Sequence, residues 1–338
     1  MTHRANDARA AQRRRILHAG AIGIAAVAAL SVTRWAHAAH DPGVRILCSG
    51  PAGSTPDLVA RAIAEQLPAA LGRHAVIDNR PGAAGQLSVA ALTNAPADGS
   101  TLLLAQGAIA TVNPFLYAKP GYDAARDLQP VSLAAETALG LGVGPAVPED
   151  VATLADFIAW LRLHPNAANV GSPGTGTLPH LLEAMLFQSA GLEWQHIAYS
   201  GGPPAVNHLL GGQTAALVLP EGLLRQHHTA RRIRVLATSG PTRSDYLPEV
   251  PSFVEQGHPN LVVKEWFAFF APGGTPKSTV ATLSAALQQA IAHPAVRAAF
   301  AEAGMTPASS SAPMLVARIA AEQRYWQPVL RATRIHAD

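Results

Sequence analysis

Three observations predict an α/β protein with a mostly parallel sheet. Short apolar runs alternate with amphipathic stretches along the chain. The links from run to stretch are rich in Gly, Ser and Thr, as helix starts require. No internal repeat of 20–50 residues is present, which argues against a solenoid. The length of 338 residues suits about two domains of ~150 each.

The elements follow in order. Val44–Cys48 reads as a buried strand. The loop Gly50-Pro51-Ala52-Gly53-Ser54-Thr55-Pro56-Asp57 leads into a helix over Leu58–Leu67. There Thr55 suits the N-cap, Pro56 the first helical position and Asp57 the first turn. His74–Asp78 is a second strand. Asn79–Gly85 is a turn-rich loop before a helix over Gln86–Leu92, and Leu102–Ala105 is a third strand. The rhythm then recurs. Leu154, Phe157, Ile158 and Leu161 mark one face of a helix, and Ala168–Ser172 a strand. Gly174-Thr175-Gly176-Thr177 is a loop before a helix over Leu178–Ser189. Ile197–Tyr199 is a strand, and Pro203–Leu210 a helix closed by Gly211-Gly212. Ala215–Leu219 and Ile233–Thr238 are further strands. Val280, Leu283, Leu287 and Ile291 mark a late amphipathic helix, and Leu315–Trp326 another.

Charge and composition exclude several classes. The pI near 9.3 comes from the first 38 residues, which hold six arginines against Asp7. The chain total is +3 and this leader carries +5, which leaves −2 on residues 39–338. The body therefore offers no basic stripe for nucleic acid. The single Cys48 excludes an intramolecular disulfide and any zinc site built on several cysteines. It ends a buried run and reads as an inert core thiol.

Residues 1–38 have the three parts of an export signal. Arg13-Arg14-Arg15 closes a basic region, Ile16 to Val32 is a small-residue apolar stretch, and Ala36-His37-Ala38 is a cleavage site. Cleavage is expected after Ala38. Arg13-Arg14-Arg15-Ile16-Leu17 fits a twin-arginine route (Arg-Arg-x-hydrophobic-Leu), and a Sec route is equally open. The mature protein is expected in a bacterial periplasm.

Pro51–Asp57 and Ser172–His180 share one design: strand, Gly/Ser/Thr loop, helix start. A helix start leaves backbone amides unpaired at the positive end of its dipole, and glycine lets an anion approach them. Ser200-Gly201-Gly202 before Pro203-Pro204 is a third such start. Two loops of this kind in two α/β units could clasp one small acid without any basic side chain. His180, in the first turn after the second loop, is a candidate ligand contact. His227 and His228 would diverge on a helix as a solvated face. Enzyme motifs are missing: the sequence has no Gly-x-Ser-x-Gly elbow and no His-Glu-x-x-His. Gly140, Gly142 and Gly144 alternate but do not form a dinucleotide fingerprint. The reading calls for no cofactor and no metal.

Several motifs occur together in order: Pro51-Ala52-Gly53 with Asp57, Asn79-Arg80-Pro81-Gly82, Asp98-Gly99, Asn113-Pro114 with Tyr117, and Ser172 to His180. Then come Tyr199 with Gly201 and Pro204, Leu209 to Gln213, Leu247-Pro248, Trp266-Phe267 and Ala271-Pro272. With the leader, this set resembles the solute-binding receptors of tripartite tricarboxylate transporters, the Bug family, over nearly all of the mature chain. The resemblance implies a two-lobed periplasmic-binding-protein fold, type II-like, with sheets flanked by helices and a ligand cleft between the lobes. It places lobe one at 41–140 plus 266–338 and lobe two at 141–265. It implies a small organic acid as ligand and a membrane permease as partner, with a sensor protein as the alternative partner.

The resemblance carries the ligand loops onto Pro51, Ala52, Gly53, Ser54, Thr55 and Asp57; Gly82, Gly85 and Gln86; Ser172, Gly174, Thr175, Gly176, Thr177 and His180; and Tyr199, Gly201, Gly202 and Pro204. The chain departs from the family pattern at Pro56, which lacks an N–H, and at Ala215, Leu219 and Ser200, where charged residues are usual. A less polar second wall predicts a ligand less charged than citrate, such as an aromatic or monocarboxylic acid.

Overall fold

The computed structural model describes residues 43–333 and 335. The export signal, with its cleavage site, and residue 41 at the start of lobe one lie outside them.

Ten strands occur among the described residues: β1 (Val44–Cys48), β2 (Ala75–Asn79), β3 (Thr101–Gln106), β4 (Leu128–Val143), β5 (Asn169–Ser172), β6 (Gln195–Ala198), β7 (Ala216–Pro220), β8 (Arg234–Thr238), β9 (Lys264–Pro272) and β10 (Thr306–Pro307). They pair in the order β2-β1-β3-β9-β4-β7-β5-β6, with β8 and β10 also bound to β4. Parallel pairing between strands falls in two blocks, β2-β1-β3 and β6-β5-β7, with one further parallel bridge from Thr238 of β8 to Ser252. These are the blocks whose strand–helix alternation shows in the sequence. Between them β4 and β9 run antiparallel to each other and to the flanking strands.

β4 was not anticipated. Its 16 residues exceed the usual ~5–6 of a strand, and register shifts near Pro130 and Leu133 bend it. Its first part pairs with β9 and its end with β7 and β8, so one strand joins the two halves of the sheet. Gly140 and Gly142 have a packing role. A Cβ on either would sit 3.1–3.3 Å from Leu224, so the glycines let the Glu221–Thr229 helix approach the strand.

Each block has its own core. Val59, Ala60 and Ile63 of the Thr55–Ala64 helix pack with β1 and β3, and with Val280, Leu283, Leu287 and Ile291, the stripe visible in the sequence. Phe157, Leu161, Val170 and Leu181 build the second core. Val112 and Leu116 join that second core, as do Trp326 and Leu330 of the Ala312–Thr333 helix. Leu315 of the same helix packs under β3 and β9. A helix of 22 residues reaches about 33 Å, enough to brace both halves.

Cys48 is fully buried, and burial pushes its thiol up to about 12, so it is inert. His227 and His228 do diverge, but they are not a solvated face. His227 is buried and accepts from Arg232 Nη2 at 2.6 Å, and His228 accepts the Val235 amide at 3.1 Å. No helix among the described residues is long and apolar enough to cross a membrane.

Candidate functional site

Four loops wall one cavity of about 360 Å³. The first leaves β1 and enters the Thr55–Ala64 helix. Ser54, not Thr55, is the N-cap, and its hydroxyl donates to the Pro51 carbonyl at 2.6 Å, closing the turn. Gly53 takes φ +77°, which glycine tolerates, and its amide donates to Asp57 Oδ2 at 2.9 Å. Asp57 also accepts from Arg61 Nε and Asn79 Nδ2, each at 2.9 Å. Burial alone would raise this carboxyl. The hydrogen bonds from Arg61, Gly53 and Asn79 outweigh it and hold Asp57 below the usual carboxylate range.

The second loop carries four successive positive φ angles, at Gly82, Ala83, Ala84 and Gly85. For the two alanines this conformation costs roughly 1–2 kcal/mol each. It is held because the Ala84 carbonyl accepts from Gln106 Nε2 at 3.0 Å and from Asn113 Nδ2 at 3.3 Å. Gln106 Oε1 in turn accepts from Ser49 Oγ at 2.7 Å, so the end of β3 ties the first two loops together.

The third loop follows β5. Thr177 Oγ1 donates to the Gly174 carbonyl at 2.7 Å, and His180 Nδ1 accepts the Gly176 amide at 3.1 Å. His180 stacks on His196, whose Nε2 lies 2.8 Å from Ser172 Oγ and 3.9 Å from the fully buried Glu183. Burial lowers His180 to about 3 and His196 to about 4, so both rings are neutral near pH 7. Burial also raises the Glu183 carboxyl well above its ordinary range.

The fourth loop, after β6, carries Tyr199 to Gly202. Gly201 takes φ +112°, and a Cβ there would lie 2.7 Å from Pro51, so the first and fourth loops touch at the rim.

Of the residues expected at the site, Pro51, Ser54, Thr55, Gly82, Gly85, Gly174, Thr175, Thr177, Tyr199, Gly201 and Gly202 line the cavity. The others lie off its wall. Ala52 and Gly53 are exposed, and Asp57 braces the first loop from behind. Gln86 and Pro204 lie within their helices. Ser172, Gly176 and His180 form the buried layer beneath the third loop. Sequence reasoning missed Gln106, Tyr117, Leu223, Glu265 and Phe267 as cavity residues. Of these, an acid beside the apolar run Trp266–Ala271 of β9 was the one local signal.

Among the described residues, no Lys, Arg or His lines the cavity. Its positive character is left to three helix starts, each with proline in the first turn. Every such proline removes an N–H donor. No group of three His, Cys, Asp or Glu among the described residues is placed to hold a metal.

Residues 59–335 match the family described as tripartite tricarboxylate transporter family receptor. The chain is 32% identical to Protein BugT of Bordetella pertussis over 86% of this chain and 89% of that one. The periplasmic binding protein BugD is 26% identical in sequence and superposes with a TM-score of 0.81, covering 88% of this chain and 99% of its own. An R. palustris protein solved with adipate is 28% identical with a TM-score of 0.82, covering 87% and 98%. The two-blocked α/β architecture is therefore that of a periplasmic binding protein, and the chain belongs to the tripartite tricarboxylate transporter receptor family.

Proposed function

We propose that this chain is a periplasmic receptor that captures a small organic acid between two lobes and hands it to a membrane permease of the tripartite tricarboxylate type. One observation carries the reading: a cavity whose walls are helix starts from both parallel blocks. The lobes are residues 41–140 with 266–338, and residues 141–265, joined through β4 and β9. A ligand carboxylate takes backbone amides from both sides, and both sets are satisfied together only when the lobes close. Binding therefore shifts an open–closed equilibrium. The leader exports the chain and is removed after Ala38.

The absence of basic side chains from the wall among the described residues, and the prolines at the helix starts, favour a ligand less charged than citrate. The adipate complex of the R. palustris relative supports an organic acid as the class. The test is a thermal-shift screen of the purified protein against carboxylates and amides. A ligand at 100 times its Kd adds about 2.7 kcal/mol of stability. Tight citrate binding without any for monoacids would overturn the charge assignment. Turnover of an ester panel would move the chain to the enzymes.

A further inference from the structure

The cavity floor holds one carboxyl that the four loops do not explain. Glu265 is the second residue of β9, the strand that passes between the two parallel blocks. Strand alternation puts Glu265 and Phe267 on one face, and both border the cavity. Trp266 points the other way and packs against Gly107. Glu265 is only 3% exposed, and its Oε1 has no hydrogen-bond partner among the described residues.

The acids around it are satisfied. Glu136 is paired with Arg318 and Lys264, and Glu322 accepts from Arg318 Nε at 2.9 Å and Trp266 Nε1 at 2.8 Å. Glu265 takes no part in that network. A buried polar atom left unpaired is costly, and Glu265 lines the cavity, so turning its carboxyl toward a bound molecule would let that molecule supply the bond. Burial pushes the carboxyl up to about 8, with the Glu322 charge adding to the rise and the Trp266 amide opposing it.

We infer that Glu265 selects the cargo by accepting a hydrogen bond from an N–H group of the ligand, an amide or an ammonium, while the ligand's single carboxylate lies against the helix starts. This rests on the receptor reading above. Among the described residues the wall has no cationic side chain to meet a second ligand carboxylate, and at Glu265 such a carboxylate can bond only while that carboxyl keeps its proton, which leaves as pH rises through about 8. An N–H donor satisfies the Glu265 oxygen whether or not that carboxyl holds its proton. The cargo is thus an amino- or amido-substituted monoacid, not a dicarboxylate.

The experiment is calorimetry on a matched ladder. It runs from succinate to adipate and includes terephthalate, each with its monoamide and its amino-acid counterpart. The proteins are wild type, Glu265→Gln and Glu265→Met. In the series that fits the cavity, the amide or amino member binds at least about tenfold tighter than its diacid. Glu265→Met brings the two within about threefold, the residue of one lost hydrogen bond. Glu265→Gln, which presents an N–H of its own, moves the preference toward the diacid. A diacid that binds tightest to wild type, or a preference unchanged in both variants, overturns the assignment and leaves the receptor reading standing. Silence across the whole ladder overturns the receptor reading and this assignment with it.

Discussion

The Tyr117 hydroxyl donates to the Thr175 carbonyl at 2.8 Å. That bond ties the end of the Asn113–Leu116 turn to the third loop, and both residues line the cavity. Tyr117→Phe removes the bond and keeps the ring. The expected loss is about 0.5–1.5 kcal/mol, or up to about tenfold in ligand affinity. Calorimetry with the best ligand from the screen checks it. An unchanged affinity would show that the bond is equally made with and without ligand.

Gly201 and Pro51 set the rim. A Cβ at Gly201 meets both an unfavourable positive φ and the Pro51 ring at 2.7 Å. Gly201→Ala is therefore expected to prop the first and fourth loops apart. Ligand affinity falls at least about tenfold, since closure must overcome roughly 1–2 kcal/mol of backbone strain plus the clash. Small-angle scattering of the ligand-saturated variant should show a larger radius of gyration than wild type.

Asp57 holds the first loop from behind. Asp57→Ala orphans the Gly53 amide and Asn79 Nδ2, and it frees Arg61. Denaturant unfolding should show a loss of about 2–4 kcal/mol near pH 7. Because the Asp57 carboxyl is held below its ordinary 3.8, the wild-type advantage is present above that pH and is lost as pH falls through the lowered value.

Three buried groups, two histidines and one glutamate, give the ligand-free protein opposite pH limbs. His180 and His196 are lowered from 6.5 to about 3 and about 4, so the native state binds fewer protons than the unfolded chain below pH 6.5. Stability is lost as pH falls from 6.5 toward 4, and His196→Gln should flatten that limb. Glu265 is raised from 4.5 to about 8, so the native state binds more protons in that window. Stability declines as pH rises from 4.5 to 8, by up to about 1.4 kcal/mol per unit. The melting temperature of Glu265→Gln relative to wild type should therefore climb from pH 5 to pH 8.

Much of this molecule was legible in one dimension. Val44–Cys48, the Leu154 helix and the stripe Val280, Leu283, Leu287, Ile291 all stand where period and turn residues put them. β4 was not legible. Pro130 and its glycines interrupt the run, and a strand buried on both faces has no alternation to show. β6 starts two residues and ends one residue before the expected Ile197–Tyr199, within the usual uncertainty of element ends.

The sequence by itself determined the α/β class and the glycine-rich helix starts that became the cavity walls, because capping, turn chemistry and period act over a few neighbouring residues. Only the tertiary structure decided which residues share the cavity. It moved His180 behind its loop against His196, brought Tyr117 to Thr175 across 58 positions, and set Glu265 into the floor through β9. Those placements depend on which strand pairs with which and on what side chains fill the space between them. Contacts between residues so far apart in the chain leave no local pattern to read.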